Sequence, residues 1–108
     1  MDPAPTEVRV MIVDDHRVLA ELLTTALSTS DKVAVVESVG TAAAAMNRVG
    51  AVQPDVVILD YDLPDGDGVS VTVAIKETCP GCRVLMLTAY TDPVILNEAL
   101  DALSLIHI

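Results

Sequence analysis

The chain has 108 residues, room for one small domain, and 52% of them are apolar, so a core is available although it holds no Phe or Trp. A balance of 6 Lys+Arg against 16 Asp+Glu leaves a net charge of −10, which repels phosphate backbones and anionic membrane surfaces and argues against nucleic-acid binding by this chain alone. No apolar run approaches the roughly 18–20 residues of a membrane span, the first residues lack the basic and apolar regions of a signal peptide, and 2 cysteines are too few for a disulfide framework, so the composition reads as a cytoplasmic domain.

Residues 1–7 carry two prolines and no periodicity and read as a loose arm. Val8–Val13 is the first strand candidate. Arg17–Ser28 places Val18, Leu19, Leu22, Leu23, Ala26 and Leu27 on one face, which predicts a helix. Val33–Val36 is a second strand, and Thr41 can cap a helix over Ala42–Val49. Asp55–Leu59 is a third strand, apolar from Val56 to Leu59, and Arg83–Leu87 is a fourth. Asp92-Pro93 supplies a cap and a first-turn proline for a fourth helix, Val94–Leu103.

One segment resists this scheme. Val69-Ser70-Val71-Thr72-Val73 alternates with period two and is β-branched, which locally favours a strand. Parallel third and fourth strands, however, need a crossover, and crossovers are usually helical. The helix is therefore the expectation here. The resulting β-α-β-α-β-α-β-α order implies a parallel sheet with helices on both faces.

Asp14 and Asp15 directly follow the first strand, Asp60 directly follows the third, and Thr88 ends the fourth. In open parallel sheets ligands bind outside the carboxyl ends of the strands, where the strand order reverses. With strand order 2-1-3-4-5, the first and third strands are neighbours and the three carboxylates converge. Carboxylates so placed raise one another's pKa, and a hard divalent cation resolves the repulsion. Mg²⁺ takes oxygen ligands and commonly joins carboxylates to phosphate. A carboxylate beside it can act as nucleophile toward a phosphoryl group, and the Thr88 hydroxyl can donate to a phosphoryl oxygen.

Val10-Met11-Ile12-Val13-Asp14-Asp15-His16, the stretch from Asp55 to Gly68 with its Asp60-Tyr61-Asp62-Leu63-Pro64-Asp65-Gly66-Asp67-Gly68, and Leu85-Met86-Leu87-Thr88-Ala89 together resemble the receiver domain of two-component response regulators, most of all its nitrate-regulator/LuxR-type branch. The resemblance implies a flavodoxin-like, doubly wound α/β fold with strand order 2-1-3-4(-5). It implies Asp60 as phosphoacceptor, Asp15 as direct Mg²⁺ carboxylate, Asp14 as its partner, and Asp62 as donor of a backbone carbonyl to the metal. Thr88 would be the switch hydroxyl and Ala89 the small residue that leaves room for phosphate. A sensor histidine kinase would be the phosphoryl donor. The fourth-helix face would be the output surface and a site for homodimerisation. DNA binding would belong to an output domain outside this chain.

The chain departs from the pattern at its end. Receivers carry a lysine at the end of a fifth strand, but the lysines here are Lys32 and Lys76. Leu103-Ser104-Leu105-Ile106-His107-Ile108 does not continue the pattern; it resembles translated sequencing-adapter read-through, with a natural divergent terminus as the alternative. The expected organisation is an arm over 1–7, an incomplete receiver over 8–102 and a non-family tail over 103–108. A missing or incomplete fifth strand and last helix would leave an edge and apolar faces uncovered, with lower stability and a tendency to associate.

Several of these residues also have plainer roles open to them. The acid pair could merely cap a helix on a solvated loop. Asp65 and Asp67 read as turn and cap residues, and His16 as a loop or cap side chain. A calcium loop starting at Asp60 fails, because its fifth position is Pro64 and its twelfth Val71. Cys79-Pro80-Gly81-Cys82 follows a helix and reads as a turn, not a redox motif. Two other functions stay open. One is a haloacid-dehalogenase-type phosphatase built on Asp60-Tyr61-Asp62. The other is a receiver-fold interaction module that ignores phosphorylation.

Overall fold

The computed structural model describes residues 7–87. Within them the order is β1 (Val8–Val13), α1 (Arg17–Leu27), β2 (Val33–Val39), α2 (Ala42–Val52), β3 (Val56–Asp60), a two-residue hairpin of β4 (Asp62–Leu63) and β5 (Gly66–Asp67), α3 (Gly68–Thr78) and β6 (Arg83–Leu87). The four long strands form a parallel sheet in the order β2-β1-β3-β6. With the hairpin set aside, this is the expected 2-1-3-4. The helix expected over Val94–Leu103, with Thr88 and Ala89, lies outside the described residues.

Side-chain alternation along β1 and β3 divides the core. Val10, Ile12, Val56 and Ile58 face α1 and meet Ala20, Leu23 and Leu27. Met11, Val13, Val57 and Leu59 point the other way, onto Ala45 and Val49 of α2 and Val71 and Ile75 of α3. Both faces are covered, so residues 10–13 of β1 and 56–59 of β3 are continuously apolar rather than alternating with polar residues. Without Phe or Trp, the core is filled largely by Val, Ile, Leu, Ala and Met.

The crossover requirement decides Val69–Val73. These residues lie in α3, where Val71 and Ile75 face the core and Val69 and Val73 are exposed. On α1 the expected apolar face is wider than the buried one. Ala20, Leu23 and Leu27 pack inward with Leu19 beside them, while Val18 is 72% and Leu22 60% exposed and Ala26 also faces out. One turn of helix presents only a narrow stripe to a sheet, and the adjacent 18-22-26 row is rotated off it. Boundaries also shift: β2 extends to Val39, α2 to Val52, and β3 runs from Val56 to Asp60. Asp60 is thus the last residue of a buried strand rather than the first of a loop.

Candidate functional site

Strand pairing builds the site. Val13 is in register with Leu59, so the next residues, Asp14 and Asp60, stand abreast at the carboxyl ends of neighbouring strands. Both are buried, at 5% and 2% exposure, and they are the buried charged residues among those described. Backbone holds them there: the Asp14 N–H donates to the Val39 carbonyl at 2.9 Å, and the Asp62 N–H donates to Asp60 Oδ1 at 3.1 Å. Asp15, one residue on, projects a more exposed carboxylate into the same cluster. Ligand atoms of Asp14, Asp15, His16 and Asp60 all lie within 4.8 Å of one another.

His16 is the site residue that the sequence reading set aside. Its backbone forms the N-cap of α1, and its half-exposed ring lies against the acidic cluster. Nδ1 sits 3.1 Å from Asp14 Oδ1, 3.0 Å from Asp15 Oδ1 and 3.6 Å from Asp60 Oδ2. The hydrogen bond to Asp14, aided by the charges of Asp15, Asp14 and Asp60, holds the imidazolium above its ordinary 6.5. The only sequence signal was its position directly after two acids. Burial pushes the Asp60 carboxyl above 3.8, the Asp62 N–H opposes this, and the charges of Asp14 and Asp15 add to the rise. A groove of about 690 Å³ opens beside the cluster, lined in part by Asp15, Arg17, Glu21, Ser38 and Gly40.

The loop after Asp60 is held closed by backbone. Tyr61 N–H donates to the Leu87 carbonyl at 3.0 Å, and Gly68 N–H donates to the Tyr61 carbonyl at 2.8 Å. Between them β4 and β5 pair, and Leu63 is buried among α2 and α3 side chains. Asp67 caps α3, accepting from Ser70 N–H at 2.9 Å and from the Ser70 hydroxyl at 3.1 Å. These bonds hold its carboxyl below 3.8. A depressed carboxyl pKa stabilises the fold above the unfolded value, and the contribution disappears as pH falls through the folded value. Asn also caps helices well. Asp67→Asn is therefore expected to match the wild-type Tm at neutral pH and to lose less of it between about pH 5 and about pH 2. Parallel Tm–pH curves for the two proteins would refute this.

Cys79 and Cys82 take no part in the site. Both are buried free thiols beside the start of β6, joined by a turn in which Cys82 N–H donates to the Cys79 carbonyl at 3.1 Å. Burial, with Cys79 alongside, pushes the Cys82 thiol up to about 11.

Comparison with known proteins fits this geometry. The response regulator receiver domain matches residues 10–104. The chain belongs to that family. The transcriptional regulatory protein NarL of Mycobacterium tuberculosis is 39% identical over 100 residues, 93% of this chain and 46% of the relative. The transcriptional activator DevR/DosR of the same organism is 39% identical over 95 residues, 88% of this chain and 44% of its own. The response regulator VraR of Staphylococcus aureus is 33% identical over 95 residues, 88% of this chain and 46% of the relative. The chain therefore spans about half the length of the curated relatives it matches. Among solved structures, the signal receiver domain of M. tuberculosis NarL aligns with a TM-score of 0.72 at 39% identity, covering 88% of this chain and 77% of that one. The non-phosphorylated receiver domain of RcsB from Escherichia coli gives 0.73 at 28% identity, covering 88% and 75%.

Receiver domains are in general signalling domains rather than enzymes, bind Mg²⁺ at an acidic site, and work with sensor kinases and DNA-binding output domains. The acidic cluster here suits a hard cation. Asp14 Oδ2 is buried and has no hydrogen-bond partner among the described residues, a costly state that a bound cation relieves. No helix among the described residues is long and apolar enough to cross a membrane.

Proposed function

We propose that this chain is a phosphorylation-dependent signalling switch in which Asp60 takes a phosphoryl group from the histidine of a sensor kinase. The observation that carries this reading is the placing of Asp60. It is 2% exposed, ends a central strand, and stands beside Asp14 and Asp15 within 4.8 Å. An Asp60 carboxylate oxygen attacks phosphorus, the P–N bond of the donor breaks, and the kinase histidine leaves with the electron pair. Asp14, Asp15, Asp60 and the Asp62 carbonyl would hold Mg²⁺, which when bound offsets charge on the transferred phosphoryl group. His16, when protonated, supplies a positive charge against the same carboxylates. Thr88 and Ala89 are assigned by family resemblance to the phosphoryl-sensing hydroxyl and the space for phosphate. The receiver unit is taken as residues 8–102, with 1–7 as an arm and 103–108 as a tail, in a cytoplasmic protein. DNA binding is assigned to an output domain of a longer protein, and self-association to the fourth-helix face.

The test is labelling with an acyl phosphate donor. One phosphoryl group per chain, dependent on Mg²⁺ and released by hydroxylamine, is expected; sustained turnover of a phosphate ester would instead favour a phosphatase. The phosphatase motif belongs on a first strand, whereas Asp60 follows two earlier strands here. Mg²⁺ alone should stabilise the fold, by about 1.4 kcal/mol at ten times its Kd. Asp15→Asn should weaken that response, as read by thermal melts across a Mg²⁺ series; an unchanged response would remove Asp15 from the site.

A second reading stays open beside this one. An interaction module indifferent to phosphorylation would bind its partner equally well as Asp60→Asn.

A further inference from the structure

We propose that Asp65 is a positioning residue for the metal and phosphoryl site, acting as a clamp between the loop after Asp60 and the N-terminus of α2. This rests on the receiver reading and extends it to a residue outside the acidic cluster. Asp65 Oδ1 accepts from Ala42 N–H at 2.7 Å, and Oδ2 accepts from Ala43 N–H at 3.0 Å. The two partners are 23 and 22 residues away in sequence, so the bond is tertiary and not a local turn. Thr41 Oγ1 takes the next amide, Ala44 N–H, at 3.0 Å. The first three amides of α2 are thus satisfied by two different segments, one of them the phosphoacceptor loop. These amides also bring the positive end of the helix dipole to the carboxylate, and the bonds hold it below its ordinary range.

The clamp closes a mechanical circuit around the site. Asp14 N–H is bonded to Val39 at the end of β2. Gly40 follows, lying so near the acid pair that a Cβ there would stand 3.7 Å from Asp15 Cα. Thr41 and α2 come next, and Asp65 returns the connection to the loop whose Asp62 amide holds Asp60. Loosening Asp65 therefore frees one side of the Asp60–Asp62 turn relative to the Asp14–Asp15 side. Leu63 and the Gly68 amide still hold the loop to the body, so the fold survives and the alignment of ligands suffers.

Two variants separate alignment from simple capping. Asp65→Ala removes the clamp. Thr41→Ala removes a cap from the same helix end but leaves the loop tied. Binding of Mg²⁺ to the full chain, followed by titration calorimetry, is expected to weaken about tenfold in Asp65→Ala, the order typical of groups that orient metal ligands. Thr41→Ala should bind Mg²⁺ like wild type while lowering Tm. Asp65→Asn, which keeps one acceptor oxygen, should fall between. Equal Mg²⁺ affinity in Asp65→Ala and wild type, or an equal loss in both alanine variants, overturns the positioning role. Wild-type protein that binds no Mg²⁺ overturns the receiver-site reading itself, and Asp60→Asn, expected to weaken Mg²⁺ binding more than Asp65→Ala, locates the binding in that site.

Discussion

Asp60→Asn is expected to abolish phosphoryl incorporation and, in the same protein without metal, to raise the Tm. The first effect follows from chemistry. An amide oxygen is a poor nucleophile, and Asp60 is the carboxylate that ends β3, with ligand atoms of Asp14 and Asp15 within 4.8 Å. The second follows from the sign of its titration. Burial, with neighbouring carboxylates, raises the Asp60 pKa above 3.8. The folded state thus favours the neutral acid. Its contribution is present below the unfolded pKa and is lost as pH rises through the folded value, so the ionised group opposes folding at neutral pH. Asn is neutral at every pH, and its Oδ1 can still accept from Asp62 N–H. The gain should vanish in Mg²⁺, where the wild type recovers stability from binding and the variant recovers less. Thermal melts in EDTA and in Mg²⁺ check the crossing, and intact-protein mass spectrometry checks the labelling. Undiminished labelling of Asp60→Asn would move the nucleophile to another residue. A lower Tm in EDTA would mean that the charged carboxylate is net stabilising through His16.

Gly68→Ala is expected to cost about 1–3 kcal/mol, the range for overpacking a filled site, and to weaken Mg²⁺ binding with it. A Cβ at Gly68 would lie 2.9 Å from Tyr61 Cα, 3.0 Å from Met86 Sδ and 3.3 Å from Tyr61 Cδ1. The methionine end can swing aside, but the Tyr61 backbone cannot easily follow. Its N–H is bonded to Leu87 and its carbonyl accepts from Gly68 itself. Relief must come from opening the turn, and Tyr61 sits between Asp60 and Asp62, so the ligands separate as the strain is released. Gly66→Ala is the control. Its Cβ would meet Ala42 Cβ at 3.4 Å and Val71 Cγ2 at 3.5 Å, ordinary contacts with side chains. Calorimetric Mg²⁺ affinities and Tm values for the two variants decide the matter, and identical behaviour would show that the turn has slack the distances do not suggest.

Much of the molecule could be read before folding, for local reasons. A run such as Val56-Val57-Ile58-Leu59 reads as a buried strand, because short β-branched runs favour extended backbone and without polar relief need cover on both faces. Acids directly after two such strands mark the carboxyl edge of a parallel sheet, which is why Asp14, Asp15 and Asp60 were found. Val69–Val73 shows the limit of that reasoning, since its alternation favours a strand and only the crossover between β3 and β6 makes it α3. Tertiary structure alone decided the rest. It set the half-exposed His16 ring against three carboxylates, and left Val18 and Leu22 outside the stripe that α1 presents to the sheet. It also gave Asp65 to the amides of a helix more than twenty residues earlier. Strand and helix formation depend on neighbours in sequence and on period, which a chain displays openly. The aim of a polar side chain depends on which unsatisfied amides and charges the packed elements bring near it, and those neighbours do not exist until the sheet has formed.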